Sequence, residues 1–137
     1  MPSVVKERTK VLLLAEDDLE MRSLLRDELC DLGCRIVEAA DGDEALQQIS
    51  RMKPDVIVTD LRMPAGGWDY VLRLRTFAPK CPIIVLTAFG DAAAMETAKK
   101  CGVAAYFDKP VHPVVLKSAV ARILDNHDRH GQTKESE

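Results

Sequence analysis

Five short apolar segments recur along the chain, each rich in aliphatic or β-branched residues. They occupy residues 10–15, 34–39, 55–59, 82–87 and 103–107. Apolar runs of this length, bounded by Pro, Gly or charged residues, predict buried strands. The stretches between them carry apolar residues at helical spacing. This alternation of strands with helices predicts a parallel sheet whose strands are joined by right-handed crossovers.

The helical stretches differ in how clearly they show a buried face. The first ends at Gly33, a favourable helix-ending residue, and its apolar stripe consists of Met21, Leu24, Leu25, Leu29 and Leu32. The second begins near Gly42, with an acidic first turn that suits the helix dipole. The third, from about Trp68 to Phe77, has apolar residues around much of its circumference, so its buried face stays open. The last begins near Pro113, and the polar sequence after Asp125 predicts a frayed end.

Five strand–helix units predict a three-layer, flavodoxin-like (βα)5 sandwich whose parallel sheet has the strand order 2-1-3-4-5. We predict an N-terminal extension over residues 1–9, one domain over 10–125, and a polar tail or truncated linker over 126–137. A chain of 137 residues has room for one such core. In this architecture, binding sites lie beyond the carboxyl ends of the strands.

Composition narrows the classes of function. The formal net charge is −3 and no block of Lys or Arg occurs, which argues against direct nucleic-acid binding by this segment. No apolar stretch is long enough to span a membrane, and the chain starts without the apolar core of a signal peptide. The four cysteines form no Cys-x-x-Cys pair; they are Cys30, Cys34, Cys81 and Cys101. We expect buried, reduced thiols in a cytoplasmic protein.

Polar residues follow the predicted strands where a site is expected. Asp60 ends the third apolar run, and an acidic triplet, Glu16 to Asp18, follows the first. Carboxylates gathered at one edge of a sheet repel one another unless a proton or a cation neutralises them. Mg²⁺ fits best, because it prefers oxygen ligands and is usually held by one or two carboxylates. Thr87 ends the fourth run, and Lys109 comes after the fifth.

From about Lys10 to Leu124 the chain resembles the receiver domains of two-component response regulators. The matching residues, in order, are Glu16, Asp17, Asp60, Met63, Pro64, Thr87, Ala88, Tyr106, Lys109 and Pro110. The resemblance implies that Asp60 is the phosphoacceptor and that Glu16 and Asp17 bind Mg²⁺. The main-chain carbonyl of Arg62 is implied as a further metal ligand. An alternative metal pair, Asp17 with Asp18, stays open.

The same resemblance implies roles for the later residues. Thr87 would bond a phosphoryl oxygen, Lys109 would pair with the acyl phosphate, and Tyr106 would change rotamer on activation. The Lys109–Pro110 peptide bond is implied to be cis. Arg62 and Phe89 would flank the path of the attacking water. Our hypothesis is that these two large side chains prolong the lifetime of the phosphate, unless both point to solvent.

The implied function is a signalling switch. A sensor histidine kinase or phosphotransfer protein would phosphorylate Asp60, and the face formed by helix 4, strand 5 and helix 5 would change for an output partner, an effector domain or a second copy. The domain would catalyse its own phosphotransfer and slow dephosphorylation. A phosphorylation-independent pseudo-receiver is the alternative. A flavodoxin-like cofactor binder or a phosphatase is disfavoured, because no Gly-rich loop follows the first strand and Arg62 stands where a phosphatase has an acid.

Overall fold

The computed structural model of the chain describes residues 8–88 and 92–136, with side chains as far as Asn126. Five strands and five α-helices alternate along this part of the chain. They are β1 Val11–Ala15, α1 Leu19–Leu29, β2 Arg35–Ala39, α2 Gly42–Arg51, β3 Val56–Asp60, α3 Trp68–Phe77, β4 Ile83–Thr87, α4 Ala92–Lys100, β5 Ala105–Asp108 and α5 Pro113–Ser136. All five predicted strands are therefore confirmed to within two residues at either end.

The strands form one parallel sheet in the order β2-β1-β3-β4-β5, as predicted. Side chains of β3 and β4 are buried along their whole length, which explains why both strands are apolar as far as the polar residues at their carboxyl ends. Two apolar clusters cover the two faces of the sheet. One includes Leu25 of α1 and Leu116 of α5, and the other includes Ala45 of α2 and Leu74 of α3. The result is the three-layer sandwich that the sequence predicted.

The predicted stripe of α1 is wrong at one residue. Leu25 and Leu29 are fully buried, whereas Leu24 is 53% exposed. Successive residues of an α-helix are about 100° apart, so Leu24 points well away from the face that Leu25 shares with Leu29. The helix ends through a short 3-10 turn, Cys30–Leu32, and Gly33 follows with a φ of 75°. That left-handed conformation favours glycine and confirms the predicted end of the first helical stretch.

Two further predictions need correction. The last helix does not fray at Asp125, because α5 continues to Ser136. The sequence beyond Asp125 contains no proline, so nothing in it removes a backbone donor from the helix. The thiols are free, as expected, but only Cys81 and Cys101 are buried; Cys30 is exposed. Within the described residues, no helix has the length and apolar character needed to cross a membrane.

Candidate functional site

The residues singled out by the sequence meet at the carboxyl edge of the sheet. Asp60 is the last residue of β3, Thr87 is the last of β4, and Glu16 directly follows β1. Each of the three is at most 3% exposed. Lys109 directly follows β5, whose residue Asp108 is in register with Thr87. Because β1, β3, β4 and β5 are consecutive in the sheet, four separate segments place polar side chains in one small region.

Lys109 bridges the two buried acids. Its Nζ lies 2.7 Å from Oε1 of Glu16 and 3.0 Å from Oδ2 of Asp60. The second oxygen of each acid accepts a main-chain hydrogen bond: Oε2 of Glu16 from the amide of Asp18, and Oδ1 of Asp60 from the amide of Arg62. The lysine side chain is 18% exposed, so this ammonium is partly shielded from water. The site therefore holds both acids in fixed orientations through one cation and two amides.

Burial and the hydrogen bonds within the site shift the pKa values of Glu16 and Lys109 in opposite directions. Burial raises the pKa of Glu16, and repulsion from Asp60 adds to it, against the lowering effect of the Lys109 hydrogen bond. Burial alone would lower the pKa of Lys109, but its hydrogen bonds to Glu16 and Asp60 outweigh this and raise it. Lys109 is consequently held as a cation facing two carboxylates, and its single charge compensates only part of theirs.

Three carboxylates lie close enough to share one cation. Glu16, Asp17 and Asp60 each offer an oxygen, and these oxygens lie within 4.8 Å of one another. Asp17 is exposed, so the cluster is open on one side. Asp18 is used differently: its Oδ1 accepts hydrogen bonds from the amides of Glu20 and Met21 and caps α1. The oxygen-only donor set and its negative charge fit a hard divalent cation such as Mg²⁺.

The loop between β3 and α3 is fixed by backbone contacts. The amide of Gly67 donates to the carbonyl of Leu61, and the amide of Gly42 donates to the carbonyl of Pro64. Gly42 leaves no room for a side chain, because an added Cβ would lie 1.8 Å from the carbonyl oxygen of Ala65. The start of α2 is therefore seated directly against this loop. Arg62 lies in the loop and is exposed, and the predicted metal-binding role of its carbonyl stays a prediction.

Two buried hydroxyl groups, those of Thr59 and Tyr70, are hydrogen-bonded to each other, and that of Thr59 also to the main chain of Asp60. Oγ1 of Thr59 lies 2.9 Å from the hydroxyl oxygen of Tyr70 and donates to the main-chain carbonyl of Asp60. Tyr70 is 3% exposed, and burial strongly raises the pKa of its hydroxyl, which therefore stays protonated as a donor. The sequence did not single out this pair. The sequence did not indicate which face of α3 is buried, so it gave no reason to place Tyr70 next to Thr59.

The predicted switch residues lie on two sides of α4. Thr87 shares a cavity of about 400 Å³ with Arg62, Trp68 and three residues of α4, Ala93, Ala94 and Thr97. Tyr106 is half-buried and packs against the apolar cluster that contains Leu74. It also lines a smaller cavity of about 170 Å³ beside Met95 and Ala98 of α4. Phe89, the second predicted modulating residue, lies outside the described residues.

The remaining sequence predictions concern the segment after β5. The Lys109–Pro110 peptide bond is cis, as the resemblance implied. His112 caps α5: its Nδ1 accepts from the amide of Val114 at 3.2 Å, and its carbonyl accepts from the amide of Leu116. The sequence gave no notice of Arg22, whose Nη1 donates to the main-chain carbonyl of Glu16 at 2.7 Å. Its only signal is its position one turn into the helix that follows the acidic triplet.

Comparisons with known proteins agree with this fold. A putative response regulator of known structure from Chloroflexus aurantiacus superposes with a TM-score of 0.78 at 33% identity, and the match covers 86% of this chain and 99% of that one. The chemotaxis protein CheY of Thermotoga maritima is 30% identical over 116 residues, which are 83% of this chain and 97% of that protein.

Longer proteins match as well. A probable transcriptional regulator, ycf27, of Guillardia theta is 33% identical over 119 residues, which are 86% of this chain but 46% of that protein. The chain spans about half the length of the first curated relatives that it matches. The family model described as the response regulator receiver domain matches residues 12–121. By this match the chain belongs to the family of response regulator receiver domains.

Proposed function

We propose that this chain is a phosphorylation switch that accepts a phosphoryl group on Asp60 from a sensor histidine kinase or a phosphotransfer protein. The observation that carries the proposal is the contact between Asp60 and Lys109, 3.0 Å apart in a site that also contains Thr87 and two further acids. A cytoplasmic location belongs to the same proposal.

The reaction needs no general base, because a carboxylate nucleophile carries no proton that must be removed before it attacks. One of its oxygens attacks the phosphorus atom of the donor, and the bond between phosphorus and the donor nitrogen breaks. The nitrogen keeps the electron pair and takes up a proton, and an aspartyl phosphate is left on the chain. Hydrolysis later returns the carboxylate and releases inorganic phosphate.

The surrounding residues stabilise the charge that builds up on the phosphoryl oxygens. Lys109 supplies a fixed ammonium, and the hydroxyl of Thr87 supplies a directed hydrogen bond. Glu16, Asp17, Asp60 and the carbonyl of Arg62 are the proposed ligands of Mg²⁺, which when bound offsets phosphoryl charge. The Lys109 ammonium and the metal would share the negative charge of Glu16 and Asp60.

The proposed output is a change at α4. A phosphoryl group that engages Thr87 would draw the start of α4 toward the site, because Ala93 and Ala94 line the same cavity as Thr87. Tyr106 packs beside α4 on its other side and would change rotamer in response. The face formed by α4, β5 and α5 would then present a different surface to an output partner, an attached effector domain or a second copy.

Phosphorylation with acetyl phosphate tests the proposal directly. We expect the wild-type chain to gain one phosphoryl group by mass spectrometry in the presence of Mg²⁺ and none after chelation. Asp60→Ala should abolish the gain while circular dichroism shows an intact fold. Asp69→Asn removes an exposed acid in the first turn of α3 and should react as the wild type does. A folded wild-type chain that takes up no phosphoryl group and does not respond to beryllium fluoride would instead be a pseudo-receiver.

A further inference from the structure

The turn that carries the metal-binding acids is anchored from outside the site by one side chain. Nη1 of Arg22 donates to the main-chain carbonyl of Glu16 at 2.7 Å, and Nε donates to Oε1 of Glu38 at 2.9 Å. The guanidinium therefore connects the turn after β1 to the neighbouring strand β2. The Arg22 side chain is 15% exposed, so both bonds are largely shielded from solvent.

The preceding peptide, between Ala15 and Glu16, is also tied to β2. The amide of Glu16 donates to the carbonyl of Ala39 at 3.0 Å, and the amide of Arg22 itself donates to the carbonyl of Asp18 at 2.9 Å. The carbonyl that Arg22 holds belongs to the peptide bond between Glu16 and Asp17. Fixing that peptide plane fixes the position of the Cα atom of Asp17, from which its side chain leaves the turn.

Asp17 depends on this anchoring more than its neighbours do. The carboxylate of Glu16 is held by Lys109 and by the amide of Asp18, and Asp18 is held as the cap of α1. Asp17 is exposed, and its carboxylate reaches the oxygens of Glu16 and Asp60 because the backbone points it there. A bidentate guanidinium is suited to such a role, since its planar fork fixes geometry as well as charge.

We infer that Arg22 is a positioning residue for the cation site: its two-point anchor between Glu16 and Glu38 sets the placement of Asp17. The inference rests on the proposed function, because it concerns the affinity of the proposed Mg²⁺ site. Groups that orient metal ligands without touching the metal change affinity by about 10- to 100-fold when they are lost. Arg22→Ala should weaken Mg²⁺ binding by an amount in this range.

Arg26 provides a matched control. It also donates to Glu38, through Nη1 at 3.2 Å, but its bonds are to the side chains of Glu38 and Asp27 and its side chain is 45% exposed. Arg26→Ala removes the same charge one turn further along α1 and leaves the anchor on Glu16 in place. It should therefore leave Mg²⁺ affinity unchanged.

The test is a Mg²⁺ titration of the whole chain, without a phosphoryl donor, followed by amide chemical shifts of residues 16–18 and 62. We expect Arg22→Ala to reach half-saturation at an Mg²⁺ concentration at least about 10-fold higher than the wild type does. The amide chemical shifts away from the site should be unchanged. Arg22→Lys, which keeps the charge but lacks the planar fork that fixes the geometry of both bonds, should fall between Arg22→Ala and the wild type in Mg²⁺ affinity. The intermediate affinity keeps the inference testable if Arg22→Ala does not fold.

Three results would overturn the inference: wild-type affinity in a folded Arg22→Ala or Arg22→Lys variant, an equal loss in Arg26→Ala, or no saturable Mg²⁺ response in the wild type. The last would also remove the metal from the proposed function. The first two would leave the proposed function standing, because the wild type would still bind Mg²⁺ and react with acetyl phosphate.

Discussion

Nζ of Lys109 lies 3.0 Å from Oδ2 of Asp60, although 49 positions separate the two residues in the chain. The same ammonium lies 2.7 Å from Glu16. The side chains of Glu16 and Asp60 are 1% and 5% exposed, so water contributes little to neutralising them. Lys109 is therefore a structural counter-ion as well as a candidate for stabilising the phosphoryl group, and the two roles can be separated.

Lys109→Met should affect both stability and reactivity. Removing one partner of a buried ion pair leaves an uncompensated charge, and we expect a loss of about 3 kcal/mol in the free energy of unfolding without Mg²⁺. Phosphorylation by acetyl phosphate should slow by roughly 100-fold or more, as for other fixed electrostatic groups. Urea unfolding and the rate of phosphoryl uptake measure the two effects.

Lys117 offers the control for stability. It too bridges two acids, Glu28 and Asp31, but in a more exposed position between α1 and α5. Solvent screens such a pair, so Lys117→Met should cost much less stability and leave phosphorylation unchanged. Equal losses in the free energy of unfolding in the two variants would show that burial of the Lys109 site does not increase the cost of removing its cation.

The lifetime of the phosphate should depend on Arg62 and Phe89. Arg62 lines the same cavity as Thr87. Replacing both residues with alanine should shorten the lifetime about tenfold, which corresponds to about 1.4 kcal/mol of the hydrolysis barrier. The decay of the phosphorylated mass after removal of acetyl phosphate measures it. An unchanged lifetime would mean that the two side chains do not obstruct water.

Gly42→Ala should strain the junction between α2 and the loop that carries Arg62. An added Cβ would lie 1.8 Å from the carbonyl oxygen of Ala65, a backbone atom that cannot move aside alone. We expect a loss of about 2 kcal/mol in the free energy of unfolding, in the range of overpacked sites. Gln47→Ala, at an exposed position of the same helix, should be nearly neutral. Equal thermal midpoints for the two variants would contradict the close packing.

Asp55 should make stability depend on pH in the acid range. Burial alone would raise the pKa of Asp55, but hydrogen bonds from Arg8 and from the amide of Val11 outweigh it and lower the pKa below 3.8. This stabilising contribution is complete above pH 3.8 and is lost as the pH falls through the lower value in the folded state.

Asp55→Asn should therefore be less stable than the wild type at neutral pH. The expected loss in the free energy of unfolding is only about 1 kcal/mol, because Arg8 is largely exposed and solvent screens the ion pair. The difference should shrink as the pH falls below 3.8. Arg8→Ala, which keeps the bond to Val11, should show a smaller effect with the same sign. Urea unfolding at several pH values measures all three proteins, and a difference independent of pH would contradict the assignment.

The local sequence pattern was enough to predict the strands and helices, because strand cores and helix ends depend mainly on residues that are neighbours in the sequence. The runs that became β3 and β4 are apolar up to their polar carboxyl ends, since both faces of these strands are covered by helices. Leu24 shows the limit. Its apolar character placed it on the buried stripe of α1, but only the packing against α5 and the sheet decides which side of the helix is covered.

The sequence by itself determined the fold class and the polar residues at the strand ends, because alternating strands and helices give a parallel sheet and each of these residues lies at or just beyond the end of its own strand. The tertiary structure alone decided which of these residues touch. It made Asp18 a helix cap and placed Asp17 beside Glu16 and Asp60. It also brought Arg22 onto the carbonyl of Glu16, because that contact depends on how α1 packs beside β2 and leaves no trace in the spacing of residues.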